Sequence, residues 1–212
     1  MRTYGQLCPV ARTLDVVGDR WNLLIVRELL LRGPSRYTDL RRGLPGIATN
    51  LLTTRLREME EAGIVVRRAP VPPQATDLFE LTDSGRELGP VLEALATWGV
   101  RHLDSALGTG KGVFRSHWLA FPVSRSWQAP ADGSCGPGWT IEIRVGDDPV
   151  TVEVAHGQVR TVAGSAENPT LVIEGPPGPV VSYIAGAVDT DQAKSAGVAV
   201  SGDEAILERL RR

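Results

Sequence analysis

The chain has 212 residues, with 23 Lys and Arg against 25 Asp and Glu and a formal net charge of −2. It is long enough for one large or two small domains, and its ordinary apolar content excludes a disordered chain. No apolar run approaches the roughly 20 residues that span a bilayer, and Met1-Arg2-Thr3-Tyr4-Gly5 lacks a signal peptide's apolar segment, so a cytoplasmic protein without membrane contact is expected. Two cysteines, Cys8 and Cys135, are too few for a disulfide framework or a zinc site.

Up to about residue 102 the chain is rich in Leu and Arg at helical spacing. Pro9 suits a first helical turn and opens a short helix over 9–17. Asp19 is placed to cap a second helix over 20–31, ended by Gly33-Pro34. A third helix spans 36–42, and Gly43-Leu44-Pro45-Gly46 makes a sharp turn. A fourth, over 49–62, stops at Gly63, a natural residue for the position just past a helix. Residues 64–68 and 78–82 read as short strands of a hairpin with a long Pro-rich tip. Thr82-Asp83-Ser84-Gly85 starts a long helix to about Leu103, with Leu88, Val91, Leu92, Leu95 and Trp98 at helical spacing. Gly108-Thr109-Gly110-Lys111-Gly112 is a flexible joint. The expected division is a domain over 1–106, a Gly-rich linker over 107–116 and a second domain over 117–212.

Charge is unevenly spread. Residues 20–68 hold ten arginines and five acids, whereas from Asp104 onward there are nine bases and thirteen acids. The basic part coincides with two helices joined by a tight Gly-containing turn and followed by a hairpin, the order of a winged helix-turn-helix. In the helix over 49–62, Leu52, Leu56 and Met59 share one face. The other carries Thr49, Asn50, Thr53, Thr54 and Arg57. Small hydroxyls and an amide at a helix N-terminus suit base edges and phosphates in the major groove. Arg36, Arg55 and Arg57 can neutralise phosphates, and Arg67 and Arg68 with the Pro-rich tip form a wing over the backbone or minor groove.

Cys8-Pro9-Val10, Gly18-Asp19-Arg20-Trp21, Arg27-Glu28-Leu29-Leu30, Gly33-Pro34-Ser35-Arg36-Tyr37, Leu44-Pro45-Gly46-Ile47, Leu56-Arg57-Glu58-Met59-Glu60, Gly63-Ile64-Val65 and Glu80-Leu81-Thr82-Asp83-Ser84-Gly85 stand in order at the spacing of the HxlR family of bacterial regulators. The resemblance covers about residues 5–103. It implies a homodimer on double-stranded DNA, with the first and the long last helix forming the interface and one reading helix per half-site. Ala48 stands where the family often has Ser or Thr, leaving Thr49 to cap. The basic residue often found near Asn50 is missing, so no base preference carries over. Cys8 lies where some members use a cysteine to sense oxidants or electrophiles. A helix N-terminus and Arg12 one turn later would favour its thiolate, and a small buried core residue is the alternative.

The second half reads as α+β. Residues 117–121 form a candidate strand. Residues 139–145 and 150–154 alternate apolar with polar, as half-buried strands do, and 158–162 and 170–173 are shorter candidates. A helix is expected over 179–188, and Gly197 to Asp203 leads to a last helix ending at Arg211. The run Asn168-Pro169-Thr170-Leu171-Val172-Ile173, a helix, and Val198-Ala199-Val200-Ser201-Gly202-Asp203 before a helix resembles a sterol-carrier-protein-type domain. That resemblance implies a curved sheet with helices over one face, enclosing an apolar tunnel or pocket. Trp118, Phe121, Trp127, Trp139 and Tyr183 are the candidate lining, or simply the core.

His102, His117 and His156 are far apart in sequence, with no Ser–His–Asp spacing, metal motif or phosphate loop. Neither an enzyme nor a cofactor is expected. The leading expectation is a mainly α winged helix-turn-helix domain followed by an α+β sterol-carrier-like domain, acting as a DNA-binding regulator that answers to a small apolar ligand. Two alternatives stand beside it: a redox or electrophile switch through Cys8 with an inert second domain, and a lipid or polyketide carrier whose winged helix does not bind DNA.

Overall fold

The computed structural model describes residues 3–70, 76–99, 112–130, 138–146 and 148–211. The chain divides into two compact units, Met1–Trp98 and Gly99–Arg212. The middle of the Pro-rich tip, the expected helix beyond residue 99, residues 107–111 of the expected linker, His102 and Cys135 lie outside the described residues.

In the first unit α1 (Pro9–Val17) carries Pro9 in its first turn and ends at Gly18, where a Cβ would meet the Leu14 carbonyl oxygen at 2.4 Å. Helix α2 (Asn22–Arg32) buries Ile25, Val26 and Leu29. It begins later than expected: Trp21 occupies the cap with no side-chain bond, the Asp19 carbonyl accepts from the Asn22 N–H in a turn at 3.0 Å, and the Asp19 carboxylate goes to Arg55 and not to a cap. Helix α3 (Tyr37–Gly43) and helix α4 (Thr49–Glu61) bury Leu40, Leu52, Leu56 and Met59 in the same core. Gly63, at φ 71°, reverses the chain past α4, a conformation that glycine adopts without strain.

Strands β1 (Val65–Arg68) and β2 (Leu78–Leu81) pair antiparallel, Val65 opposite Leu81 and Arg67 opposite Phe79. Ser35 extends this sheet by one residue: its N–H donates to the Phe79 carbonyl and its carbonyl accepts from the Phe79 N–H, both at 2.9 Å. The long helix expected after β2 is two. Helix α5 (Asp83–Arg86) is capped by Thr82, whose hydroxyl accepts from Gly85 N–H at 3.0 Å and donates to the Gly63 carbonyl at 2.7 Å. Helix α6 (Gly89–Gly99) then starts afresh, since Pro90 has no N–H to offer the carbonyl of Arg86.

The second unit opens with a 3₁₀ turn (Ser116–Leu119) running into α7 (Ala120–Ser126). The strand expected over 117–121 is therefore helical. Leu119, Val123 and Trp127, four apart, share one buried side, and Pro122 sits in the first helical turn, where its missing N–H costs nothing. Within the segment read as linker, Phe114 packs against this unit's core and the buried Ser116 hydroxyl donates to the Val145 carbonyl at 2.5 Å.

Strands β3 (Trp139–Arg144), β4 (Val150–Ala155), β5 (Gln158–Ala163), β6 (Leu171–Glu174) and β7 (Ala199–Gly202) form one mixed sheet in the order β5-β4-β3-β6-β7. The β3–β6 pair is parallel, Ile141 beside Leu171, and the rest are antiparallel. Helix α8 (Pro177–Ile184) is shorter than the helix expected over 179–188. A separate α9 (Thr190–Ser195) follows, opened by a reciprocal cap in which Asp189 accepts from Gln192 N–H at 2.8 Å and Gln192 accepts from Asp189 N–H at 3.0 Å. Helix α10 (Ala205–Leu210) completes the unit. The apolar positions of β3, β4 and β6 bury in one core with Val123, Val180, Tyr183, Ile184, Ile206 and Leu210. Near this helical layer, Gln128 N–H donates to the Leu210 carbonyl at 2.7 Å and Trp127 bridges to Arg211.

On the other sheet face Glu142 is buried despite its charge. Its carboxylate accepts from Arg144 Nε at 2.6 Å and from the Ala166 N–H at 2.8 Å. Burial alone would raise its pKa; the Arg144 hydrogen bond, the Ala166 N–H and the Arg144 charge together outweigh it and hold the carboxyl below its ordinary value.

Candidate nucleic-acid interface

Helix α4 has two sides. Leu52, Leu56 and Met59 are buried, while Thr49, Asn50, Thr53 and Arg57 are exposed. The turn from α3 places the start of α4 beside Tyr37, whose hydroxyl donates to the Thr49 carbonyl at 2.7 Å and accepts from the Thr53 hydroxyl at 3.4 Å. Ala48, not Thr49, stands at the cap, and no side chain caps the helix. Thr53 and the half-buried Thr54 instead donate back to the carbonyls of Thr49 and Asn50, at 3.1 and 2.9 Å. The Asn50 side-chain oxygen accepts from the Leu51 N–H at 2.9 Å, so its amide group points two donors away from the backbone. Tyr37 stands in the motif Gly33-Pro34-Ser35-Arg36-Tyr37, but the sequence alone gives it no role at the site.

The arginines of α4 and its surroundings fall into two groups. Arg36 is exposed at the entry to α3. Arg57 has 70% of its side chain exposed and meets an equally exposed Glu61 only at 3.8 Å, a pair too loose and too wet to hold it. The other three have carboxylates. Arg67 pairs with Asp77 and lies 5.9 Å above the Phe79 ring. Arg68 meets Glu80 at 2.5 Å. Arg55 pairs with Asp19, and with Glu58 at 2.5 Å. None of these acids was coupled to its arginine in the sequence reading; Arg68 with Glu80 is legible once the hairpin register is known, since they sit diagonally on one face.

An open groove of about 640 Å³ runs between α3, α4 and the hairpin, lined among others by Arg36, Tyr37, Thr53, Arg57, Arg67 and Phe79. Glu60 and Asp77 line it too, so with Arg67 paired to Asp77 the charge left for a polyanionic backbone is that of Arg36 and Arg57.

Elsewhere on the first unit Val10 and Leu14 on α1, Tyr4 and Leu7 before it, and Val91, Leu95 and Trp98 on α6 are exposed large apolar residues. Spacings of four and seven put the α6 residues on one side of their helix. Cys8 is exposed at the cap of α1. Arg12, one turn later, directs its guanidinium to Asp15 at 3.4 Å.

In the second unit, Trp127 and Tyr183 are fully buried and Trp139 nearly so, all in the packed core. The Trp127 indole N–H donates to the Ile184 carbonyl at 3.0 Å, and the Tyr183 hydroxyl lies 3.0 Å from that of Thr190. Trp118 and Phe121 are half-buried, with Trp118 edge-on to Phe114. Among the described residues there is no cluster of three or more His, Cys, Asp or Glu able to hold a metal ion, and no helix long and apolar enough to cross a membrane.

Comparison with known proteins bears on the first unit. The family model described as HxlR-like helix-turn-helix matches residues 16–106. The HTH-type transcriptional regulator sll1512 of Synechocystis sp. is 36% identical over 115 residues, 51% of this chain and 83% of that protein. The HTH-type transcriptional regulator YybR of Bacillus subtilis is 37% identical over 99 residues, 46% of this chain and 77% of that one. Among solved structures, the reduced form of the redox regulator HypR is 34% identical over 47% of this chain and 97% of its own, with a TM-score of 0.42.

Proposed function

The chain belongs to the HxlR-like helix-turn-helix family, and on that premise we propose that it is a sequence-specific transcriptional regulator that reads double-stranded DNA as a homodimer. The observation that carries the reading is α4: a helix buried on its Leu52–Leu56–Met59 side that turns Thr49, Asn50, Thr53 and Arg57 to solvent beside a β-hairpin. Asn50 and Thr53 would meet base edges, and Arg57 and Arg36 phosphates. Arg67 and Arg68 would reach the backbone only by loosening their pairs with Asp77 and Glu80. Dimerisation is supported by the exposed apolar residues of α1 and α6, which a second copy would cover.

The test is selection from a genomic DNA library by the purified protein at physiological salt. An enriched, roughly palindromic site supports the reading; no enrichment by a folded dimer would overturn it and favour a carrier whose winged helix has lost DNA binding.

For the second unit we propose that it takes a small apolar effector. Support comes from an apolar sheet face buried under helices; Trp118 and Phe121, which are half-buried, are the aromatic residues we assign to the guest's entry. An effector acts only through unequal affinity for the DNA-competent and incompetent states. Lipophilic compounds titrated into the operator complex should therefore shift DNA affinity, and a panel without effect would remove this part. The exposure of Cys8 supports a redox reading beside it; a Cys8→Ser protein with an unchanged response to oxidant would exclude that.

A further inference from the structure

Arg55 differs from the other cations of α4. Only 19% of its side chain is exposed, against 70% for Arg57, and two residues along a helix turn it through about 200°, to the side away from Arg57. One guanidinium nitrogen serves two carboxylates, that of Glu58 one turn along α4 at 2.5 Å and that of Asp19, 36 residues earlier in the chain. Asp19 lies in the turn between α1 and α2, and its own carbonyl accepts from the Asn22 N–H at 3.0 Å. The turn that presents this carboxylate is thus itself hydrogen-bonded. Beyond it, Asp15 on α1 accepts from the Thr3 hydroxyl at 2.9 Å and the Tyr4 N–H at 2.8 Å, tying down the segment before the helix.

These contacts leave Arg55 poorly placed to neutralise a phosphate. Its charge is already met by two carboxylates, and a third anion would have to displace one of them. What the pair does instead is join α4, whose Leu52–Leu56–Met59 side is buried, to the α1–α2 turn. Resting on the DNA-reading function proposed above, we propose that Arg55 is a positioning residue. Through Asp19 it holds the exposed face of α4 in the orientation that enters the groove, and it makes no DNA contact of its own.

The two roles separate in salt titrations of binding to the selected site and to unrelated DNA, using the full chain with Arg55→Ala, Asp19→Ala and the double variant. A positioning role requires that each single variant weaken specific binding by roughly tenfold. The double should be no worse than Arg55→Ala alone, because the contact with Asp19 is already lost in that single variant. The salt slope should stay at the wild-type value. Non-specific affinity should scarcely change. A phosphate contact gives the opposite pattern: Arg55→Ala lowers the salt slope by about one unit, while Asp19→Ala, which removes a negative charge, leaves binding unchanged or tighter. Either result would overturn the proposal. Should Arg55→Ala prove unfolded by its melting curve, Asp19→Asn carries the test alone, since Asp19 is half-exposed; undiminished specific binding by that protein also overturns it. If the wild-type chain selects no DNA at all, the parent reading falls instead, before any variant is made.

Discussion

The Glu28 carboxylate occupies the space where a side chain of residue 43 would begin: a Cβ on Gly43 would lie 2.0 Å from Glu28 Oε2. Glu28 is fully buried on α2, with Arg27 at 2.8 Å and Arg32 at 3.2 Å from its two oxygens. Arg27 also donates to the Gly43 carbonyl at 3.4 Å. Its own pKa is lowered by burial, against the opposing pull of Glu28. A charged cluster on α2 thus meets the last residue of α3, at the entry to the turn that leads into α4. Glycine is needed there for room and not for backbone conformation, since residue 43 is not among the positive-φ positions.

Gly43→Ala should push the Glu28 carboxylate off at least one of its arginines. We expect a loss of about 1–3 kcal/mol, the usual scale for overpacking a tight site, seen as a lower denaturation midpoint of the first unit. A variant as stable as wild type would mean that Glu28 can turn aside at no cost.

Arg57→Ala should weaken binding to all DNA sequences alike and reduce the salt slope by about one. Asn50→Ala should change which sequences are enriched while keeping the slope. Parallel selections and salt titrations on the two proteins check both, and an unaltered slope for Arg57→Ala counts against its placement at a phosphate.

Gly85→Ala should damage the hairpin more than its small size suggests. A Cβ there would lie 2.2 Å from the backbone oxygen of Ile64, an atom that cannot swing away, and Ile64 leads directly into β1. Thr82, which caps α5 through the Gly85 N–H and reaches the Gly63 carbonyl, would lose its geometry as well. The expected cost is about 2 kcal/mol or more, with loss of specific DNA binding at temperatures where wild type binds. Thermal melts beside Ser84→Ala, an exposed neighbour, separate this from a general effect of altering α5.

Glu142→Ala should destabilise the second unit by about 1 kcal/mol at pH 7, because the Ala166 N–H loses its acceptor while the half-exposed Arg144 keeps water. The pH dependence follows from the depressed pKa. The stabilisation is fully present above the unfolded-state value near 4.3 and disappears as pH falls through the lower folded value. The gap between wild type and variant should narrow below about pH 4, measured by urea denaturation at several pH values. A gap that stays constant down to pH 3 would show that the charge of Glu142 contributes nothing.

Local signals were legible where the partner is close in sequence. Pro9 and Gly18 bracket α1, Gly63 ends α4, and alternation in 139–145 and 150–154 marks β3 and β4. The reciprocal cap of Asp189 and Gln192 is equally local, yet α9 lies within the stretch after the helix expected over 179–188, to which the sequence reading assigns no element. What could not be read was competition for a side chain from far away. Asp19 has the chemistry of a helix cap, and only the fold shows that Arg55 takes it. The exposed face of α4 was readable from its spacing alone. The pairing of Arg55, Arg67 and Arg68 with acids was not, because a count of arginines does not tell which are already neutralised.

The sheet order places β6 between β3 and β7, beside a strand synthesised some thirty residues earlier. The hydrogen bonds of α1 to α4 and of the β1–β2 hairpin run between residues of the first unit and can form before the second is synthesised. The second unit has no such freedom. Strand β3 must keep one edge open until residues 171–174 arrive, and Gln128 waits for the carbonyl of Leu210. Throughout that interval β3 presents a row of unpaired backbone N–H and C=O groups, to which the same strand of a second chain on one messenger can pair by mistake.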